Sequence, residues 1–493
     1  MFLWTKKDKQ KKEKEKETVD ESLNEVINEE NKKTKSIYYG YSNFKLVLVF
    51  CMPAIISLLL ESLTSVIDLS FAGHIPGIGH DGITAIGLLS PILTLFVAMQ
   101  LLFSPSTAIL VSRFLGQGNN EKANKAFWTG CYMSLVISTI TSVLIFIFKD
   151  KILEYFGATG IIFKLAEEYL SVACLFNVFS SVGYTLINSL RSYGYPGTEL
   201  LFSVLFAIVN VVFNTLFTFV LNMGVFGIAL GTLVAEIFGV VISYVFLRCK
   251  KKITTPVKIS RNEFTKISIK EARIGAVDFL SELVFASVAL LLNNLVIACC
   301  TIAFIPVKTV VETVNQLFMM PLVGLSESMQ PVLSYMYGDK NEKKIKGIIK
   351  VIVGVQMAYS AIVLILSICF PNLLLQMFHS DMPHAEVAAT LIKIVMSSIP
   401  AVCIIYTVQI LFQVTNNEKR AIIVGLIMEL FAFVPLLFTF PFIAKKYLNI
   451  PYINGIFMCQ PISDIITFFI VIVLLVRFIK ERVKVKDNGL EKA

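Results

Sequence analysis

Glu61 and Asp68 stand seven residues apart in PAIISLLLESLTSVIDLSFAG, residues 53–73. The stretch is otherwise almost wholly apolar and is long enough to cross a bilayer. Seven positions at 100° each make nearly two helical turns, so the two carboxyls share one face. A charged side chain aimed at acyl chains costs roughly 2.5–3.5 kcal/mol on insertion scales. On the wall of a wet cavity the same group is tolerable. There it can hold a proton when the cavity is empty and give it up when a cation arrives. Where two solutes exclude each other at one site and favour opposite-facing states, their movements are linked.

Asn210 and Asn214 are four apart and also share a face. Their amide oxygens suit a hydrogen bond to a carboxyl or a place in the oxygen shell of a sodium ion. Helix–helix hydrogen bonding is the plainer use of such residues. Asn188 is a weaker candidate of the same kind. Farther along, Asp278 and Glu282 are four apart, with Glu282 deeper in SELVFAS and the better substrate contact; Asp278 lies nearer a solvated end. Lys308 and Glu312 read as an intrahelical ion pair. Glu236, Glu429 and Asp464 interrupt apolar segments with no partner evident in the sequence. Met319, Met320 and Met329, with Phe318, offer adaptable surface for a permissive pocket, although packing is the commoner use. His74, His80, His379 and His384 fall in links and lack metal-ligand spacing, and the nine cysteines form no CxxC pair. No metal site and no cofactor beyond H⁺ or Na⁺ as driving ion is expected.

The elements that hold these residues are membrane spans. The 493 residues are 56% hydrophobic and 16% charged, with mean hydropathy +0.74. A soluble chain of this length carries nearer a quarter charged residues. Twelve apolar segments centre near residues 58, 100, 136, 176, 210, 236, 286, 320, 358, 402, 430 and 466, and all are expected to be helices, which satisfy their own backbone in lipid. The link after the sixth, RCKKKITTPVKISRNEFTKISIKEAR, holds nine Lys or Arg, and the links after the second and eighth are also basic. Those after the first and fifth have none. Both termini are therefore expected in the cytoplasm of a cell-membrane protein.

The chain also resembles itself. A shift of 222 lays VSRFLGQGNNEKANK on LSYMYGDKNEKKIKG, matching Ser112 with Ser334, Gly116 with Gly338, Asn119 with Asn341 and Lys122 with Lys344. The same shift lays Tyr184-Thr185 on Tyr406-Thr407. Six spans per repeat is an even number, so the halves are parallel, an arrangement that suits a transporter with a midplane site. The expected fold is an all-α polytopic membrane protein with two parallel six-helix repeats. The expected divisions are a disordered tail (1–36), an N-terminal lobe (37–250), a cytoplasmic linker (251–270), a C-terminal lobe (271–482) and a second tail (483–493).

VSRFLGQGNNEKANKA, NSLRSYGYPG, MMPLVGLSESMQPVLSYMYGDKNEKK and QILFQVTNNEKRA resemble the corresponding segments of the multidrug and toxic-compound extrusion (MATE) family, over roughly residues 42 to 480. FLSELVFASVALLLNN is most similar to its bacterial MepA-like branch. The resemblance implies two lobes in a V and export of cationic or amphiphilic compounds against inward H⁺ or Na⁺. It maps the coupling site onto Asp68, Asn210 and Asn214, with Asn214 where relatives often carry Asp. Small cationic cargo and membrane lipids are the expected partners, nucleic acid is not, and a monomer is expected. A lipid-linked oligosaccharide flippase is the alternative. It requires a strongly basic cavity, for which Arg113, Arg191 and Lys308 are the only candidates. A membrane enzyme is disfavoured, because no nucleotide loop, HExxH or long extramembrane segment occurs.

Overall fold

The computed structural model describes residues 34–253, 259–300, 304–376 and 384–490. The expected disordered tail up to residue 33, the middle of the linker and His379 lie outside them. Residues 34–40 are helical (α1), so regular structure starts before the expected boundary at 37. There follow α2 (Asn43–Gly73), α3 (Gly79–Leu88), α4 (Ser90–Gly116), α5 (Asn120–Tyr155), α6 (Gly160–Ser192), α7 (Pro196–Thr215) and α8 (Gly224–Cys249). The second half holds α9 (Arg261–Cys300), α10 (Ile305–Gly338), α11 (Glu342–Cys369), α12 (Pro371–Gln376), α13 (Ala385–Met396), α14 (Ile399–Val414), α15 (Glu418–Leu426), α16 (Phe433–Leu448) and α17 (Tyr452–Leu490). No strand occurs among the described residues. Two π-helical turns, Leu216–Val220 and Ile427–Ala432, extend α7 and join α15 to α16.

Ten helices are long and apolar enough to cross a membrane, and α13 with α14, bent by 40°, make an eleventh. The twelfth expected span, α10, is not among them. Lys308, Glu312, Asn315, Gln316, Glu327 and Gln330 lower its hydropathy, and it packs on α2 and α4 of the first half as well as on α11, α13 and α14 of its own. A helix surrounded by protein need not be apolar all round.

The repeat is visible atom by atom. Asn119 caps α5 by accepting from the amide of Lys122 at 2.9 Å, and Asn341 caps α11 by accepting from Lys344 at 3.0 Å. The residue before each cap is left-handed, Gly118 at φ +71° and Lys340 at φ +56°; Gly194 and Asn416 match in the same way at +85° and +61°. Ser134 and Thr185 share a hydrogen bond of 2.8 Å, and their counterparts Gln356 and Thr407 share one of 2.7 Å. The ends of α4 and α10 cross so closely that a Cβ on Gly116 would lie 2.1 Å from the Tyr335 carbonyl oxygen. One on Gly338 would lie 2.1 Å from that of Arg113. Only glycine allows such an approach.

One apolar cluster joins the halves. It gathers Phe50, Ile109, Phe127 and Leu190 with Ile274, Leu325, Met336 and Ile410, at the end that carries the basic links. Toward the opposite end the core divides. Ala72, Phe96, Leu170 and Ile228 pack within the first half, whereas Val311, Leu322, Ile392 and Phe457 pack within the second. The halves are thus sealed at the basic end, with separate cores beyond it.

Candidate functional site

Asp68 comes from the C-terminal half of α2 and meets α7 and α8. Asn214 Nδ2 donates to Asp68 Oδ1 at 2.6 Å and lies 3.1 Å from Asn210 Oδ1. Asn210 Nδ2 donates to Thr232 Oγ1 at 3.2 Å, and Thr232 Oγ1 stands 3.4 Å from Asp68 Oδ2. The four side chains close a ring across three helices. Both asparagines are fully buried and Asp68 is partly so. The i,i+4 spacing on α7 aims both amides at α2, and α7 widens into its π turn directly after Asn214, as helices often do beside functional sites. Asn214 Oδ1 is buried without a partner, pressed against α8 where a Cβ on Gly231 would come within 1.9 Å of it. The ring itself presents one carboxylate and one hydroxyl oxygen, while the free amide oxygen of Asn214 is turned to α8.

The family resemblance grouped Asp68, Asn210 and Asn214 but gave no sign of Thr232, one of three hydroxyl-bearing residues in α8, whose partner Asp68 lies 164 positions away. Asn188 does not join them. It donates to Ser104 at 2.7 Å and lines a separate pocket where the halves meet. That pocket is walled by Tyr184, Asn188 and Arg191 from the first half and by Asp278, Glu327 and Gln330 from the second. Asp278, expected near solvent, accepts there from Gln413 Nε2 at 2.8 Å, and Gln330 Nε2 donates to Gln413 Oε1 at 3.2 Å. Glu61 is exposed on α2, two turns from Asp68.

Glu327 was not anticipated. It lines the pocket between the halves together with Arg191 and Asp278. The signal was present: an acid in SESMQ interrupts an apolar run as Glu61 does. Glu282 is part-buried. Asp464 accepts from Ser398 at 2.6 Å within the second half. Met319 packs into apolar clusters of that half and Met320 is part-buried beside it; neither lines the pocket.

The three cations considered for a basic cavity are all engaged. Arg191 pairs with buried Glu199 at 2.6 Å, Lys308 pairs with Glu312 at 2.6 Å as the spacing predicts, and Arg113 donates to the Val414 carbonyl at 2.8 Å. Among the described residues no group of three or more His, Cys, Asp or Glu is placed to hold a metal.

The family model MatE matches residues 53–216 and 280–439, one segment in each half. The chain belongs to the MatE family. The Multidrug export protein MepA of Staphylococcus saprophyticus is 24% identical over 416 residues, covering 82% of this MatE chain and 89% of the relative. Among solved structures, an outward-facing multidrug resistance MATE family transporter of the MOP superfamily superposes with TM-score 0.80 at 19% identity, covering 91% of this chain and 98% of its own. A MOP superfamily transporter from Pyrococcus furiosus, described as having a binding pocket of reverse polarity, gives TM-score 0.77 at 19% identity over 89% and 96%. This MatE protein is thus an integral membrane protein with many spans and the fold of the MATE transporters.

Proposed function

We propose that the protein exports cationic or amphiphilic small molecules by antiport with H⁺ or Na⁺, alternating between states open to either side of the cell membrane. The Asp68–Asn214–Asn210–Thr232 ring carries this reading. It is a lone carboxylate held across three helices of one half, beside the region where the halves part. A proton on Asp68 finds an acceptor in Thr232 Oγ1, whose own hydrogen turns to the Ile228 carbonyl at 3.2 Å. A sodium ion finds the Asp68 carboxylate and the Thr232 hydroxyl, hard oxygen ligands of the kind such cations take, and a flip of the Asn214 amide would turn its oxygen toward the same ion. Either occupant changes what joins α2 to α7 and α8, so its arrival and departure bias how these helices pack. A cargo that favours the opposite packing is then linked to the driver.

The charge of the seam supports a cationic cargo. Asp278 and Glu327 line the pocket between the halves, and the arginine beside them, Arg191, is already paired with Glu199. A lipid-linked phosphate would need free cations there, and Arg113, Arg191 and Lys308 are committed elsewhere. With the basic links in the cytoplasm, the sealed end faces inward and the state is open outward. The test is competitive: purified protein in vesicles is given a fluorescent organic cation and a fluorescent lipid-linked phosphate. Movement of the cation supports the reading, and movement of the phosphate lipid alone overturns it.

A further inference from the structure

The sealed end closes over two helix C-termini, and the two are capped by different parts of the chain. The last carbonyls of a helix have no partner within it. At the end of α14, Arg113 reaches across from the first half: Nη2 donates to the Val414 carbonyl at 2.8 Å, Nη1 donates to Asn416 Oδ1, and the guanidinium lies over the Tyr337 ring. Under the shift of 222, Arg113 corresponds to Tyr335 and Val414 to Ser192. Tyr335 brings no guanidinium to the Ser192 end. Its ring stacks on Tyr38, with centroids 4.2 Å apart and planes within 12°. The Tyr38 hydroxyl stands 3.0 Å from the carbonyl oxygens of both Arg191 and Ser192 at the end of α6.

Tyr38 belongs to no span. It sits on α1, whose neighbours tie down both halves. Lys252 donates to Thr34 at 3.0 Å. Ile37 packs against the turn at Gly194. The Tyr39 hydroxyl donates to Asp339 and accepts from Asn341 Nδ2 at 3.1 Å, and Lys344 Nζ donates to the Tyr41 carbonyl at 3.2 Å. Partial burial and the Asp339 carboxyl beside it hold the Tyr39 phenol up at about 12, so it stays a donor throughout the physiological range. Tyr38 itself is fully buried.

We propose that residues 34–41 form a gating strap: Tyr38 makes for the first half the closure that Arg113 makes for the second, and the basic end opens only after Tyr38 leaves the α6 carbonyls. Tyr38 is a positioning residue, acting on the balance of states through α6 and Tyr335. The inference rests on the alternating-access reading above.

A native thiol reports on it. Cys51 is buried in the seam, with its sulfur accepting from Ser328 Oγ at 3.3 Å and lying 4.0 Å from the Leu325 carbonyl oxygen, both on α10. Opening the basic end uncovers it. Cys403 and Cys459 are buried wholly within the second half and serve as controls. The full chain in lipid nanodiscs is alkylated with a maleimide, and each cysteine is followed by mass spectrometry. Tyr38→Phe keeps the ring stack but removes the donor, and it should raise Cys51 labelling roughly five-fold, the shift expected when one hydrogen bond is lost. Tyr38→Ala should raise it further, with Cys403 and Cys459 at their wild-type rates. Cys51 labelling unchanged in Tyr38→Ala, or equal acceleration at all three cysteines, would overturn the strap. Labelling needs neither cargo nor gradient. Its failure leaves cation-coupled export standing, and failure of gradient-driven efflux leaves the labelling result standing.

Discussion

Asn214 Nδ2 is held 2.6 Å from Asp68 Oδ1, so an amide donor occupies the place where a second acid would repel the first. The bond crosses from α7 to α2 and fixes the carboxylate of a helix that otherwise faces the seam. Asn214→Asp would set two carboxyls against each other at that distance. They either share one proton or ionise together around a bound cation. The variant is expected to make efflux more sodium-dependent, measured as the ratio of initial rates in sodium and in choline buffer. An unchanged ratio would mean that this pair does not bind the driver.

Arg191 and Glu199 are both buried and paired at 2.6 Å. Removing one partner from such a pair leaves an uncompensated charge and costs about 3–5 kcal/mol. Glu199→Ala should therefore lower thermal stability in detergent far more than Arg191→Met with Glu199→Met together. Equal losses in the single and double variants would show that the pair carries little of the local stability.

Glu327 is expected to act on cargo rather than on folding. It is part-buried and lines the pocket between the halves with Asp278 and Arg191. Glu327→Gln keeps the shape and removes the charge. A single charge acting through a partly wet cavity is worth roughly 1 kcal/mol or more. The apparent KM for an organic cation should rise about five-fold or more, with little change for a neutral amphiphile. Equal changes for both cargoes would place Glu327 outside the binding region.

Gly116 and Gly338 provide a test of the internal symmetry. Alanine at either would force a methyl into the backbone of the opposite helix at 2.1 Å. Each substitution should cost roughly 1–3 kcal/mol of the closed state, and by symmetry the two should be alike. Thermal melts of both variants check this; a large loss at one and none at the other would contradict it.

The spans and the repeat were legible in the sequence because each is written in local spacing, whereas the grouping of Asp68 with Asn210 and Asn214 came from the family resemblance. Apolar runs mark the helices, the shift of 222 appears in the caps themselves, and the four-residue spacing puts Asn210 and Asn214 on one helical face. What stayed hidden depends on partners brought together only by packing. Thr232 closes the ring from 164 positions beyond Asp68, and Gln413 meets Asp278 from 135 positions away. Arg113 read as a loose cation at a span end, yet it is buried as the cap of α14, 301 positions on. The polar character of α10 pointed the same way. A helix lined with Glu327, Gln330 and Ser334 has neighbours on every side, and composition alone does not say which.

The coupling role proposed for Asp68 is tested most directly by efflux of a fluorescent organic cation from vesicles under an imposed pH or sodium gradient, comparing wild type with Asp68→Asn. The asparagine keeps the side chain's shape and removes its charge. The expected result is gradient-driven efflux in the wild type and loss of the gradient's effect in the variant. Efflux indifferent to either gradient, or driven equally well with asparagine at 68, would contradict the account.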